Sequence, residues 1–256
     1  MISVVCVYNN ERILNKILLS CLDRQTAEHE RILIDNREGR FTSAAEALNH
    51  GGNRARGQYI MFLHQDMWLG SESWLQDAEK LMGSLPHLGV AGVAGMTKTG
   101  RHWVERAKFS IRSIDGGPLE GIGLRRAETP VEVQTLDECL LIVPREVFAT
   151  LQFDPRAFDG WDCYGADYSL SAQQAGLRAY VIPGESDHCC VRAHHRIWEF
   201  RDLLKYQRRL CAKHQRHARL IRTWMGSISP FPLAGRSGSS EREEPHSRTF
   251  RSCRSR

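Results

Sequence analysis

The sequence predicts an α/β fold: a mostly parallel central sheet with helices on both faces, followed by a C-terminal amphipathic helix. Two observations carry this. Short, β-branched apolar runs alternate with stretches of helical period in the order β-α-β-α-β-α-β over residues 2–96, the order that builds a parallel sheet with crossover helices. The runs are continuously apolar rather than alternating, as strands buried on both faces are. The composition agrees. With 256 residues, 41% hydrophobic and 25% charged, the chain has the balance of a soluble globular protein. Collagen, wholesale disorder and a multi-span membrane protein are excluded, since no window approaches about 18 uninterrupted apolar residues.

Each element has its own signal. ISVVCVY (2–8) reads as a buried strand. Residues 12–24 place Ile13, Ile17, Leu18 and Cys21 on one helix face. ERILIDN (30–36) reads as a second strand. Residues 42–56 read as a helix with Thr42 or Ser43 as N-cap and Glu46 near its third position. QYIMFLHQD (58–66) is a third strand ending in polar residues. SESWLQDAEKLMGSL (71–85) is a helix capped by Ser71 or Ser73 and stopped by Pro86. GVAGVAGM (89–96) is a small-residue strand. Residues 97–135 are irregular, with two or three short strands. Further on come a strand at 136–144, a short helix at 145–151, a helix at 164–176 ended by Gly176, and a strand at 177–183. Residues 197–225 read as one long amphipathic helix, and the Ser-, Pro- and Arg-rich tail beyond Ser227 as disordered. The expected division is a main domain over 1–190, the basic helix within 191–226 and the tail at 227–256.

Net charge is +5, unevenly placed. Residues 192–222 carry +8 and residues 235–256 carry +3, which leaves −6 on residues 1–191. A basic nucleic-acid binder is disfavoured, because its folded core would carry the charge. Eight cysteines without a CxxC pair read as free thiols of a reducing compartment. The N-terminus lacks the basic region and long apolar run of a signal peptide, so a cytoplasmic location is expected. The helix at 197–225 suits peripheral contact with an anionic membrane, against the plainer account of an apolar side packed on the domain. His188, Cys189, Cys190, His194 and His195 lie close together, but lack the paired spacing of a structural zinc site.

Ligands of open parallel α/β sheets bind beyond the carboxyl ends of the strands. Here the first strand ends in Tyr8-Asn9-Asn10, the second in Asp35-Asn36 and the third in His64-Gln65-Asp66. If the strands are neighbours, these groups surround one crevice. Asp35 can pair with a base or ribose edge, and Asp66 can hold a hard divalent cation on phosphate oxygens. Turn and cap duty is the plainer reading of each segment taken singly.

These segments resemble family 2 glycosyltransferases of the GT-A fold, nearest to a subgroup whose DxD position reads His-Gln-Asp. SVVCVYNN, RILIDN, SAAEALNHGGNRARGQYIMFLHQDMW, GVAGVAG, FDGWDCYGADYSLSAQQAGLRAYVIP and Asp187-His188 occur in the family's order over about residues 1–190. The resemblance implies that Tyr8, Asn9, Asn10, Asp35, Asn49 and Gln65 bind the donor nucleotide. It implies that Asp66 and His188 hold a divalent cation, Mn²⁺ or Mg²⁺. Asp137, Trp161 and Asp162 are placed in the sugar and acceptor pocket, and Asp167 as catalytic base. The implied partners are a nucleotide-diphosphate sugar and a glycan or lipid-linked acceptor, with no nucleic acid.

Three departures stand out. His64 replaces the first acid of DxD. Gly165 stands where near relatives often carry a second acid. No QxxRW follows Gln173-Gln174, and that motif accompanies processive synthases. The implied reaction is a single, inverting transfer. Its rivals are a noncatalytic protein of the same fold and a nucleotidyltransferase. The second would need a glycine-rich, basic loop where NNERILNK (9–16) stands.

Overall fold

The computed structural model describes residues 1–110, 126–183 and 200–229. The chain opens with β1 (Ile2–Tyr8), the helical turns α1 (Glu11–Leu14) and α2 (Ser20–Leu22) joined by a π-helical stretch (Asn15–Leu19), and β2 (His29–Asp35). Next come α3 (Ala44–Gly52), β3 (Tyr59–His64), α4 (Trp74–Met82), β4 (Leu88–Gly92) and β5 (Ala94–Met96). The middle holds α5 (Trp103–Arg106), β6 (Ala107–Phe109), β7 (Val131–Val133), β8 (Thr135–Leu136) and β9 (Leu140–Pro144). It ends with α6 (Arg145–Thr150), α7 (Tyr164–Gln174), β10 (Arg178–Val181), α8 (Phe200–His214), β11 (Ile221–Thr223) and β12 (Gly226–Ile228).

The large sheet has the order β2-β1-β3-β9-β4-β10-β7. β1 is parallel to both neighbours, and β4 is parallel to β10. β9 runs antiparallel between β3 and β4, so those two share a direction, and β7 is antiparallel to β10. The sheet is therefore mostly parallel. Its residues obey the strand period of two. Ile2, Val4 and Cys6 pack with Leu18, Leu22, Trp74 and Leu75 on one face, while Val5, Ile60 and Phe62 pack with Leu48, Phe148 and Tyr168 on the other. Helices cover both faces, which is why the strand sequences read as unbroken apolar runs.

The local signals behave as their chemistry dictates, with exceptions. Ser43 caps α3 by accepting from Glu46 N at 3.2 Å. Ser73 stands at the N-cap of α4, but its hydroxyl donates to the Asp77 carboxylate at 2.7 Å instead of capping the backbone. Gly176, at φ +80°, ends the α7 turn in a conformation that costs glycine little. The strand expected at 89–96 breaks at Val93, and β5 joins a smaller sheet with β6 and β8. The strand expected at 136–144 likewise divides into β8 and β9.

The helix expected at 197–225 stops at His214. Ala218, Ile221 and Met225 mimic a helical face by spacing, yet Ile221 belongs to β11 and is buried beside Leu210 and Cys211, and Met225 is exposed. Gly226, at φ +126°, turns the β11–β12 hairpin. The apolar side of α8 is spent on the domain: Leu203, Tyr206, Leu210 and Cys211 bury against Phe158, Cys163, Ala166 and Leu170. Each such side chain stabilises the contact by about 1.5–3 kcal/mol when fully buried. Its cations at 205, 209 and 213 recur every helical turn and clamp the acidic segment 154–167. Lys205 and Arg209 hold Asp159 at 3.0 and 2.7 Å, and Lys213 holds Asp154 at 2.8 Å. No helix among the described residues is long and apolar enough to cross a membrane, and the cysteines at 6, 21, 139, 163 and 211 are buried free thiols. The tail from residue 230 onward lies outside the described residues.

Candidate active site

Register brings the strand ends together. Tyr8 is paired with Asp35, and Val7 with His64. A cleft of about 910 Å³ opens at this edge, lined by Tyr8, Asn9, Asn10, Asn36, His64, Gln65 and Asp66 at the strand ends, by Glu138 from the turn before β9, and by Trp161, Asp162 and Tyr164 at the start of α7. Asp202, Lys205 and Tyr206 of α8 close a third side. The volume lies within the usual range of small-ligand sites.

The strand-end loops are held by side chains. Gln65 Oε1 accepts from Asn9 N and Asn10 N at 3.1 and 2.9 Å, and its Nε2 donates to Asn9 Oδ1 at 2.7 Å. Asn10 Oδ1 in turn caps α1 by accepting from Ile13 N at 3.1 Å. Gln65 thus staples the end of β3 to the loop after β1. Asn36 braces its own loop by accepting from Phe41 N and donating to Phe41 O. Asp35 stands beside this rim with its carboxylate on the Arg37 guanidinium, which also reaches Glu11 at 2.6 Å and lies over the Tyr8 ring. Those hydrogen bonds hold the Asp35 carboxyl down to about 2. Burial first, and then Asp35, raise the Tyr8 hydroxyl.

Asp66 is nearly buried at the cleft floor. His64 Nε2 lies 3.1 Å from Tyr164 Oη. Among the described residues no group of three or more His, Cys, Asp or Glu is assembled to hold a metal; His188 lies outside them, as do Cys189, Cys190, His194 and His195. The donor set still fits a hard divalent cation of the kind that takes one or two carboxylates and completes its shell with substrate phosphates.

On the opposite wall, Trp161 is 43% exposed, and burial followed by the Asp202 charge pushes the Asp162 carboxyl up. Cys163, with φ +64°, sets the sharp turn into α7 that presents both residues; such a conformation costs a non-glycine residue on the order of 1–3 kcal/mol. Asp159 is bound by Arg209, Lys205 and Tyr206, which hold its carboxyl well below the ordinary range.

Besides Asp35, which stands outside the cleft lining, three expected site residues are elsewhere. Asp167 is 2% exposed and does not line the cleft. Its oxygens are taken by His214 Nε2 at 2.7 Å and Lys213 Nζ at 2.9 Å. Gln174 Nε2 donates to His214 Nδ1 at 2.6 Å, which puts the ring hydrogen on Nε2, toward Asp167. Burial alone would lower Lys213, but Asp167 and Asp154 outweigh it and raise it. Asp137 turns its carboxylate onto Cys139 N at 3.1 Å, and its neighbour Glu138 lines the cleft in its place. Asn49 faces the backbone of the 151–160 loop, donating to Phe153 O at 2.8 Å and accepting from Phe153 N at 3.1 Å. Asn49→Ala is therefore expected to cost about 1–3 kcal/mol through unpaired backbone groups with donor affinity unchanged. Paired melting and donor-titration curves check this.

Residues missed from sequence are Glu138, Tyr164, Arg37 and the α8 wall of Asp202, Lys205 and Tyr206. No local period separates Asp137 from Glu138, because both lie in the turn between β8 and β9.

This mostly parallel sheet, with its crevice at the carboxyl ends of three parallel strands, defines an α/β protein of the GT-A fold class. The family described as "Glycosyltransferase like family" matches residues 3–214, and the chain belongs to it. Among solved structures, the fold is similar to the mannosyltransferase PcManGT of Pyrobaculum calidifontis in complex with GDP-Man and Mn²⁺, at TM-score 0.56 and 15% identity, covering 85% of this chain and 64% of that one. It is similar also to S. aureus TarS 1-349 in complex with UDP-GlcNAc, at TM-score 0.55 and 14% identity, covering 83% and 66%. A curated relative from Fuscovulum blasticum, called "ATP synthase subunits region ORF 6", is 31% identical over 163 residues. That match spans 62% of each of the two chains.

Proposed function

We propose that the chain is a non-processive, inverting glycosyltransferase that moves a sugar from a nucleoside-diphosphate sugar to a hydroxyl of a glycan or lipid-linked acceptor. The observation that carries this is the position of Asp66, a nearly buried carboxylate at the floor of the strand-end cleft of a GT-A fold. Binding of GDP-Man and UDP-GlcNAc by proteins of similar fold supports the donor class.

In this reading the base and ribose lie along Tyr8, Asn9 and the Asp35 rim, held in place by the Gln65 staple. The diphosphate lies at Asp66. A divalent cation, when bound there, would offset the negative charge that grows on the leaving diphosphate. Trp161 offers an exposed ring to the apolar face of an acceptor sugar, and Asp162 a carboxylate to its hydroxyls. The acceptor oxygen attacks the anomeric carbon from the face opposite the diphosphate, and a single displacement inverts that centre.

A thermal-shift screen of UDP- and GDP-sugars with and without Mn²⁺ tests the donor class. Binding to the folded state raises the melting point by mass action, and the shift is expected with Mn²⁺ and absent for the free sugars. Asp35→Ala should raise the donor KM with little change in kcat, because a base or ribose contact holds ground and transition states alike. With its carboxyl held down to about 2, Asp35 stays ionised as pH falls, so it contributes no loss of donor affinity between about pH 4 and 8. A KM that climbs on acidification through about pH 4 and loses that climb in Asp35→Ala would contradict the hold of Arg37 on the carboxyl, whereas an unchanged donor KM in Asp35→Ala would contradict the donor contact itself.

A further inference from the structure

We propose that Glu138 is the catalytic base of this cleft, entering from the turn before β9 into volume left open by Gly165 of α7; the inference rests on the transfer reading above. Three observations converge on it. Glu138 lies beside the end of β3, because β9 pairs antiparallel with that strand: Leu63 faces Leu140, and His64 N donates to Cys139 O at 3.1 Å. Glu138 precedes Cys139 in the turn before β9 and lines the same cleft as Gln65 and Asp66. Gly165 is packed directly on the Glu138 side chain. A Cβ built at Gly165 would lie 2.8 Å from Glu138 Cγ, closer than side chains tolerate, so any side chain at 165 would displace Glu138 from its present place. The carboxylate meets one donor, Gly165 N in the first turn of α7, at 3.4 Å from Oε1, while Tyr164 Oη donates to the main-chain carbonyl of Glu138 at 3.4 Å and holds the turn itself.

Two other acids near the cleft are held by cationic side chains. Asp167 is enclosed by His214 and Lys213. Asp159 is bound by Arg209, Lys205 and Tyr206.

The step balances simply. The acceptor oxygen forms a bond to the anomeric carbon. The bond from that carbon to the diphosphate oxygen breaks, and its electron pair leaves with the nucleoside diphosphate. The acceptor's proton passes to a carboxylate oxygen of Glu138.

The test uses the full chain with Mn²⁺ and a panel of UDP- and GDP-sugars. Nucleoside diphosphate release to water is measured beside donor binding by thermal shift. Glu138→Gln should lower release by about 10²–10⁴-fold, the usual worth of a general base, while the donor shift persists. Azide is already anionic and needs no deprotonation, so the same variant should form glycosyl azide at close to the wild-type rate. The double variant Glu138→Gly/Gly165→Asp, which returns a carboxylate from the other side of the shared volume, should recover part of the loss. Release by Glu138→Gln at the wild-type rate, or its loss in Asp162→Asn instead, would overturn the assignment and leave the transferase reading intact. If azide transfer collapses with water transfer, Glu138 serves in binding or structure and the base role falls. A wild-type chain that neither binds nor turns over any donor removes the transferase reading and this inference together.

Discussion

Replacing Asp66 with alanine is expected to abolish Mn²⁺-dependent nucleotide-sugar binding and to lower transfer by about 10³-fold or more. The reasoning starts from position. β3 is an apolar strand whose neighbours fix its register, so the chain must emerge at His64 and deliver Asp66 to the cleft floor, nearly buried. A leaving diphosphate gains charge in the transition state, and cation stabilisation of such charge is worth several kcal/mol, at tenfold per about 1.4 kcal/mol. With histidine at position 64, the proposed reading leaves Asp66 as the one carboxylate of this segment to hold the cation. Asp66→Glu should restore part of the binding. Calorimetric titration of the donor with and without Mn²⁺ decides the matter: a Mn²⁺ dependence unchanged in Asp66→Ala would refute the metal assignment.

The second large effect is on stability. Asp167→Asn should destabilise the fold by about 2–3 kcal/mol. Breaking a fully buried pair costs about 3–5 kcal/mol; Lys213 is partly exposed, and water screens part of that loss. Asparagine still accepts from His214 Nε2, yet it brings no charge to Lys213, which Asp167 and Asp154 jointly stabilise. A destabilisation of that size should lower the melting point by about 4–12 °C for a domain of this length. Asp167→Ala should lower it further. Transfer per folded molecule should be retained in both. A variant with an unchanged melting curve and lost turnover would restore Asp167 to a catalytic role.

That contrast shows where the sequence was readable. β1, β2 and β3 could be recognised because strands buried on both faces are continuously apolar, and their polar ends mark the crevice without knowledge of any contact. Which of two nearby acids faces that crevice is another matter. On a helix, positions 165 and 167 point about 200° apart. Gly165 therefore abuts Glu138 at the cleft while Asp167 turns to α8, and its partners lie 46 and 47 residues downstream. Asp137 and Glu138 lie in the turn between β8 and β9, where no period of two applies, and the turn gives Asp137 to Cys139 N while Glu138 lines the cleft. The end of α8 was hidden for a similar reason. Ile221 continues the helical spacing but is buried from a hairpin, and local period does not distinguish the two. The basic stripe of α8 read as a free surface because its acidic partners, Asp154, Asp159 and Asp167, are distant in sequence.

The measurement that bears most directly on the central claim is the anomeric configuration of the first product. Proton NMR of the chain with Mn²⁺ and an α-linked nucleoside-diphosphate sugar, recorded before mutarotation, follows donor loss and product configuration in one experiment. The account predicts that the donor's anomeric signal falls while a β-configured product appears, and that both changes vanish in Asp66→Ala. An α-configured first product would contradict the single displacement, and a donor that binds yet stays intact would mark the chain as a noncatalytic member of its family.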